Sequence, residues 1–129
     1  MVVIDASALI EFLLDAARYP RIDAIVSSEE LHAPHLIDFE IMHGLRSAVL
    51  GKRLNPERAT VALEDFAALP IHRHSADRLL LRIWALRNNH TAYDASYVAL
   101  AESLSSPLIT RDRRLAQSSG HAARIQYID

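Results

Sequence analysis

Short runs of β-branched and aliphatic residues recur along this chain, each separated from the next by a helical stretch. The runs at 1–4 and 107–110 do not alternate apolar with polar residues. A strand exposed on one face alternates; a strand buried on both does not. The pattern therefore calls for a parallel sheet with helices on both faces, a three-layer α/β/α architecture with a central parallel β-sheet. Strands are expected at residues 1–4, 30–33, 69–72, 107–110 and 124–128. Helices are expected from about Ala8, over 21–28, from Pro34 to Leu50 with Gly51 as the stop, and from Asn55-Pro56 to Ala68. A further helix is capped by Ser75 and carries Leu79, Leu80, Ile83 and Leu86 at helical spacing. A loop at 88–91 leads to a helix over 92–104, and a short helix covers 112–118. Trp84 and its aliphatic neighbours read as core. The 129 residues, half of them hydrophobic and 23% charged, suit one domain spanning 1–129, with a real core and no disorder.

Composition excludes several chemistries. There is no cysteine, so disulfides, zinc-thiolate sites and cysteine nucleophiles are absent. No apolar run approaches the ~20 residues of a membrane helix, and the start lacks a basic region like that of a signal peptide. No membrane association and a cytoplasmic location are the expectations. The net charge of −2 leaves nucleic-acid binding to local patches.

In open parallel sheets, sites form at the carboxyl ends of strands. Asp5 directly follows Val2-Val3-Ile4, and Asp112 lies two residues after Leu108-Ile109-Thr110. Two more acids sit on helices in apolar company. Glu40 has Leu36, Ile37 and Gly44 as helical neighbours, and Asp94 has Tyr97, Val98 and Ala101. A carboxylate on a core-facing stripe needs a partner, and neither helix has a base at the right spacing. A divalent cation is the economical partner. Taken singly, Asp5 and Asp112 could be helix caps and Asp94 a first-turn acid. Glu40 has no such alternative.

Val2-Val3-Ile4-Asp5-Ala6-Ser7-Ala8-Leu9, Phe39-Glu40-Ile41, Tyr93-Asp94-Ala95-Ser96-Tyr97-Val98-Ala99-Leu100-Ala101 and Leu108-Ile109-Thr110-Arg111-Asp112 together resemble the PIN domain, and more closely the VapC toxins of bacterial VapBC toxin–antitoxin modules. The resemblance covers the whole chain. It implies a Mg²⁺- or Mn²⁺-dependent endoribonuclease acting on tRNA or rRNA, with an acidic pocket at Asp5, Glu40, Asp94 and Asp112. It also implies inhibition by a cognate antitoxin, and a homodimer. Asp5 and Asp94, then Asp112, match direct metal ligands; Glu40 matches a residue acting through water; Ser7 and Thr110 match hydroxyls beside the site.

An acidic pocket that takes RNA needs bases around it. Arg111, Arg113 and Arg114 bracket Asp112, and Arg46 lies further along the Glu40 helix, so these four are candidate phosphate contacts. Leu54, Leu63, Phe66 and Leu69 are candidates for a dimer or antitoxin surface. The seven histidines include no i, i+4 pair of the zinc-helix type. His72 and His74 should point to one side of a strand end, but read as surface or core-edge residues. A receiver domain would need an acid pair after the first strand and a lysine ending a late strand. A haloacid-dehalogenase-like phosphatase would need Asp-x-Asp where this chain has Asp5-Ala6-Ser7. The remaining alternative is a non-catalytic PIN-like module that binds RNA or protein.

Overall fold

The computed structural model describes residues 1–129. Strands β1 (Val2–Ile4), β2 (Leu31–Pro34), β3 (Ile71–His74), β4 (Leu108–Thr110) and β5 (Ile125–Tyr127) form one sheet in the order β3-β2-β1-β4-β5. Every pairing is parallel. The helices are α1 (Ala6–Asp15), α2 (Pro20–Ser28), α3 (Leu36–Leu50), α4 (Pro56–Ala68), α5 (Leu80–Ala85), α6 (Ala92–Leu104) and α7 (Arg113–Ala116).

Helices α1, α3 and α4 pack on one another, while α6 lies against β1, β2 and β4 with α5 alongside it. Arg73 of β3 stacks over Phe66 of α4 and pairs with Asp38 of α3, so its side of the sheet carries the α1-α3-α4 layer. Residues β1 Val3, β2 His32 and β4 Leu108 stand in register and face the other layer. Both faces are thus covered, and β1 and β4, in the middle, are buried throughout. The expected three-layer α/β/α fold is present. Helix α6 is the most enclosed: seven consecutive residues from Ala95 to Ala101 are buried. That full enclosure explains its lack of an amphipathic stripe.

Several boundaries differ from expectation. Pro34 ends β2 instead of opening α3. The ladder continues past it, with the His35 amide donating to the His74 carbonyl at 3.1 Å, so helical dihedrals begin only at His35. Strand β3 starts at Ile71, two residues later than expected, directly after Pro70, whose nitrogen cannot donate to a ladder. That shift moves His72 and His74 from a strand end into the ladder, opposite His32 and Pro34. The stretch after Ser75 is a turn followed by the six-residue α5. Only its Leu79, Ile83 and Leu86 side faces the core; Leu80, Leu81 and Trp84 are exposed. Trp84 is therefore a surface residue, with the Arg87 guanidinium 4.7 Å from its ring centroid. Conversely, Phe66 is core, and Leu54 and Leu69 pack against the core; of the four proposed interface residues only Leu63 is exposed.

Candidate active site

In a sheet ordered 3-2-1-4-5, the chain leaves β1 and β4 in opposite directions, and the gap beyond their carboxyl ends is the natural site. Asp5 and Asp112 stand on either side of it. Each also caps the helix that follows. Asp5 accepts from the Ala8 amide at 3.1 Å, and Asp112 accepts from the Arg114 and Leu115 amides at 2.9 and 3.3 Å. Capping and site formation are here one device, since the cap fixes the carboxylate at the strand end.

Thr110 is fully buried and links the two acids. Its hydroxyl donates to Asp5 Oδ2 at 2.5 Å and accepts from the Asp112 amide at 2.9 Å. Ser7 donates to Asp5 Oδ1 at 2.6 Å and accepts from the Arg111 amide at 2.9 Å. The two hydroxyls lie 3.3 Å apart. Both expected site hydroxyls therefore hold Asp5 in place.

Glu40 comes from the middle of α3 and Asp94 from the first turn of α6, where Thr91 caps the helix on the Asp94 amide. Both are half-buried. Burial pushes the Asp5, Glu40 and Asp94 carboxyls above their usual range. Neighbouring acids push the same way: Asp112 on Asp5 and on Asp94, and Asp5 and Asp94 on Glu40. The Thr110 bridge from Asp5 to Asp112 and the Arg114 contacts to Asp112 and Asp94 put acids of separate elements in one neighbourhood, and Glu40 feels the charges of Asp5 and Asp94.

The cluster is short of positive charge. Arg114, itself largely exposed, lies 3.4 Å from Asp94 and 3.9 Å from Asp112. Glu40 finds only the Tyr97 hydroxyl, which donates to Oε1 at 2.6 Å. By its spacing Tyr97 belongs to the core-facing Asp94 stripe; its ring is buried, and its hydroxyl positions Glu40. Removing that hydroxyl in Tyr97→Phe should cost about 1–2 kcal/mol in thermal denaturation, the usual effect of stripping a buried hydrogen bond to a charged group. It should also lower any Glu40-dependent activity while leaving secondary structure intact.

The arrangement fits a hard divalent cation. Several desolvated, mutually repelling carboxylates face a single, largely exposed guanidinium, and all-oxygen sites suit Mg²⁺ or Mn²⁺. The four acids spread more widely than the ligands of one directly held ion, since their ligand atoms do not form a group of three within 4.8 Å. Mg²⁺ keeps several waters and takes only one or two carboxylates directly, which matches such a ring. Beside the acids runs an open cleft of about 550 Å³, lined by Ser7, Ile10, Leu36, Phe39, Glu40, His43 and Tyr93 among others.

The candidate phosphate-binding arginines separate. Arg114 is at the acids. Arg113 stacks on Tyr127, 4.2 Å from its centroid. Arg111 is committed elsewhere: it sits over Tyr19, donates to the Ile128 carbonyl and lies 3.6 Å from Glu11. Arg46 lines a separate groove between α3 and α4, with Met42, Val49, Pro56 and Leu63.

The fold and the acid pocket define a nuclease-like α/β/α protein. Comparison with known proteins makes that class specific. Residues 2–120 match the PIN domain family model. The chain is 38% identical over 128 residues to Ribonuclease VapC12 of Mycobacterium tuberculosis, covering 99% of each. It is 42% identical over 118 residues to Ribonuclease VapC9 of the same species, covering 92% of this chain and 91% of that one. Among solved structures it resembles PAE2754 from Pyrobaculum aerophilum, with a TM-score of 0.71, 26% identity and coverage of 96% and 81% of the two chains. It shares the fold of VapBC2 from Rickettsia felis, solved with a promoter DNA fragment, at a TM-score of 0.72, 10% identity and full coverage of both chains. The chain belongs to the PIN domain family, on its VapC branch.

Proposed function

We propose that this protein is the toxin of a toxin–antitoxin module: a metal-dependent endoribonuclease that hydrolyses RNA phosphodiester bonds, in tRNA or rRNA, and is restrained by a cognate antitoxin. The observation that carries this is the convergence of Asp5, Glu40, Asp94 and Asp112 at the β1–β4 gap of a chain whose VapC relatives are named ribonucleases.

Asp5, Asp94 and Asp112 would hold Mg²⁺ or Mn²⁺ between them, at most two directly and the rest through its coordinated waters, and Glu40 would act through a bound water. When bound, the cation would polarise the scissile phosphate and acidify an attacking water. Glu40, oriented by Tyr97 and with its carboxyl pushed up by burial and its acidic neighbours, would accept a proton from water. Ser7 and Thr110 keep Asp5 fixed whether or not the cation is present. Arg114, the one guanidinium at the acids, would meet the RNA backbone and exchange Asp94 for phosphate. Arg114→Glu should weaken RNA binding about tenfold or more and lower its salt slope by about one. Charge reversal at Arg46, in its separate groove, should leave both unchanged.

Exposed Phe39 and Tyr93 form an apolar rim on α3 and α6 beside Glu40. Such a rim supports an antitoxin segment that covers the pocket. Exposed Leu80, Leu81 and Trp84 on α5 support a homodimer contact. No helix is long and apolar enough to cross a membrane.

The test is incubation of purified, antitoxin-free protein with total tRNA and rRNA in Mg²⁺, Mn²⁺ or EDTA. Discrete fragments that require the cation support the proposal. Folded, cation-binding protein that cuts neither RNA class would instead favour a PIN-like binding module.

A further inference from the structure

A second cluster of ligating groups lies away from the acids. Strands β2 and β3 are paired in register His32 to His72, so the two side chains share one face of the sheet. Their rings are stacked, with centroids 4.7 Å apart and planes 16° off parallel. Glu30, just before β2, stands two residues from His32 and therefore on the same face. One ligand atom from each of Glu30, His32 and His72 falls within 4.8 Å of the others, the only group of three or more such residues that close in the protein. His32 is buried, whereas Glu30 and His72 are exposed and leave the group open to solvent. Glu30 marks the amino end of β2, opposite the end that carries Asp5.

Both ring nitrogens of His32 have partners: Glu30 on one side and His74 on the other. Its Nε2 lies 2.6 Å from Glu30 Oε1, a carboxylate oxygen that can only accept, so a proton is shared there. Its Nδ1 lies 2.7 Å from Nε2 of His74. A cation on Nε2 requires the tautomer that carries the ring proton on Nδ1, where it donates to an unprotonated Nε2 of His74. Ligating histidines characteristically donate their second N–H to a neighbouring acceptor, which fixes ring and tautomer.

We propose that Glu30, His32 and His72 form a binding site for a borderline transition-metal cation of the Zn²⁺ class, with His74 as the positioning residue for His32. Two imidazoles and one carboxylate suit Zn²⁺, Co²⁺ or Ni²⁺ over Mg²⁺. Three protein ligands leave a fourth position for water or for a donor from a partner molecule. The site is chemically distinct from the all-oxygen acid pocket, and it ties the edge strand β3 to its neighbour β2.

Zn²⁺ binding would be measured by competition with a chromophoric zinc indicator, and Co²⁺ binding by visible absorption. The proteins compared are the wild type, Asp94→Asn, Glu30→Gln and His72→Ala. Glu30 and His72 are exposed, so their replacement should leave the fold intact, as circular dichroism would verify. The expected result is one Zn²⁺ per chain, retained in Asp94→Asn and weakened about tenfold or more in both Glu30→Gln and His72→Ala. His74→Gln should weaken it less. Absence of Zn²⁺ binding in the wild type would overturn the proposal. So would binding lost in Asp94→Asn, or binding indifferent to Glu30→Gln and His72→Ala.

Discussion

Asp94→Asn should abolish RNA cleavage, by about 10²–10⁴-fold, and at the same time make the metal-free protein more stable. The first effect follows from removing a carboxylate proposed to hold the cation that supplies the chemistry. The second follows from the electrostatics of the cluster. Burial, then the charge of Asp112, raises the Asp94 carboxyl above its ordinary value, against a smaller opposing influence of Arg114. A carboxyl raised in the folded state keeps its proton at a pH where the unfolded chain has lost it. Stability due to this group is therefore greatest at low pH and declines as pH rises from the unfolded value through the folded one. Once pH has risen through that range, the Asp94 carboxyl is a liability that asparagine removes. The expected result is a rise in Tm that is larger at pH 8 than at pH 5. Saturating Mg²⁺ or Mn²⁺ should raise the wild-type Tm and leave that of Asp94→Asn nearly unmoved. Thermal denaturation at the two pH values, with and without metal, checks each part. A variant that cleaves at the wild-type rate, or melts well below the wild type, would count against this account.

Thr110→Val should be the most destabilising single-methyl exchange at the site. Valine has nearly the shape of threonine, so little packing changes. The hydroxyl, however, donates to Asp5 and accepts from the Asp112 amide, and its surroundings are fully buried. Without it, an Asp5 oxygen and a backbone N–H both lose a partner where water cannot replace it. The expected cost is about 2–4 kcal/mol, a fall in Tm of roughly 8–16 °C. Thr110→Ser keeps the hydroxyl and should recover most of that loss. Chemical denaturation of the two variants separates the hydrogen bonds from the methyl group; equal stability of valine and serine variants would contradict the bridging role.

The acid pocket was legible in the sequence because its elements are local signals. Asp5 and Asp112 each follow an apolar strand, and Glu40 and Asp94 each interrupt an apolar helical stripe. Parallel-sheet geometry then places strand-end acids at one edge without knowledge of the strand order. Groups whose roles depend on long-range placement were not legible. Tyr97 bonds Glu40 across 57 positions, and Arg111 reaches Tyr19 across 92. Helical spacing gave Trp84 a face but not its surroundings, because α5 spans only six residues and buries one side. The histidine cluster needed both the β2–β3 pairing and the two-residue delay of β3 by Pro70. Only in that register does His72 stand beside His32. The cue available in the sequence was Glu30-x-His32 beside His72-x-His74, two period-2 pairs on separate strands.

The most direct test of the central claim is the cation-dependent cleavage rate of one RNA substrate by wild type, Asp5→Asn, Glu40→Gln, Asp94→Asn, Asp112→Asn and His72→Ala. With the acid pocket as the active site, each of the four acid variants loses about 10²-fold or more, while His72→Ala stays within about twofold of wild type, as expected for a residue outside the reaction. Cation-dependent cleavage that survives in the acid variants, or that disappears in His72→Ala, would place the chemistry elsewhere in the molecule.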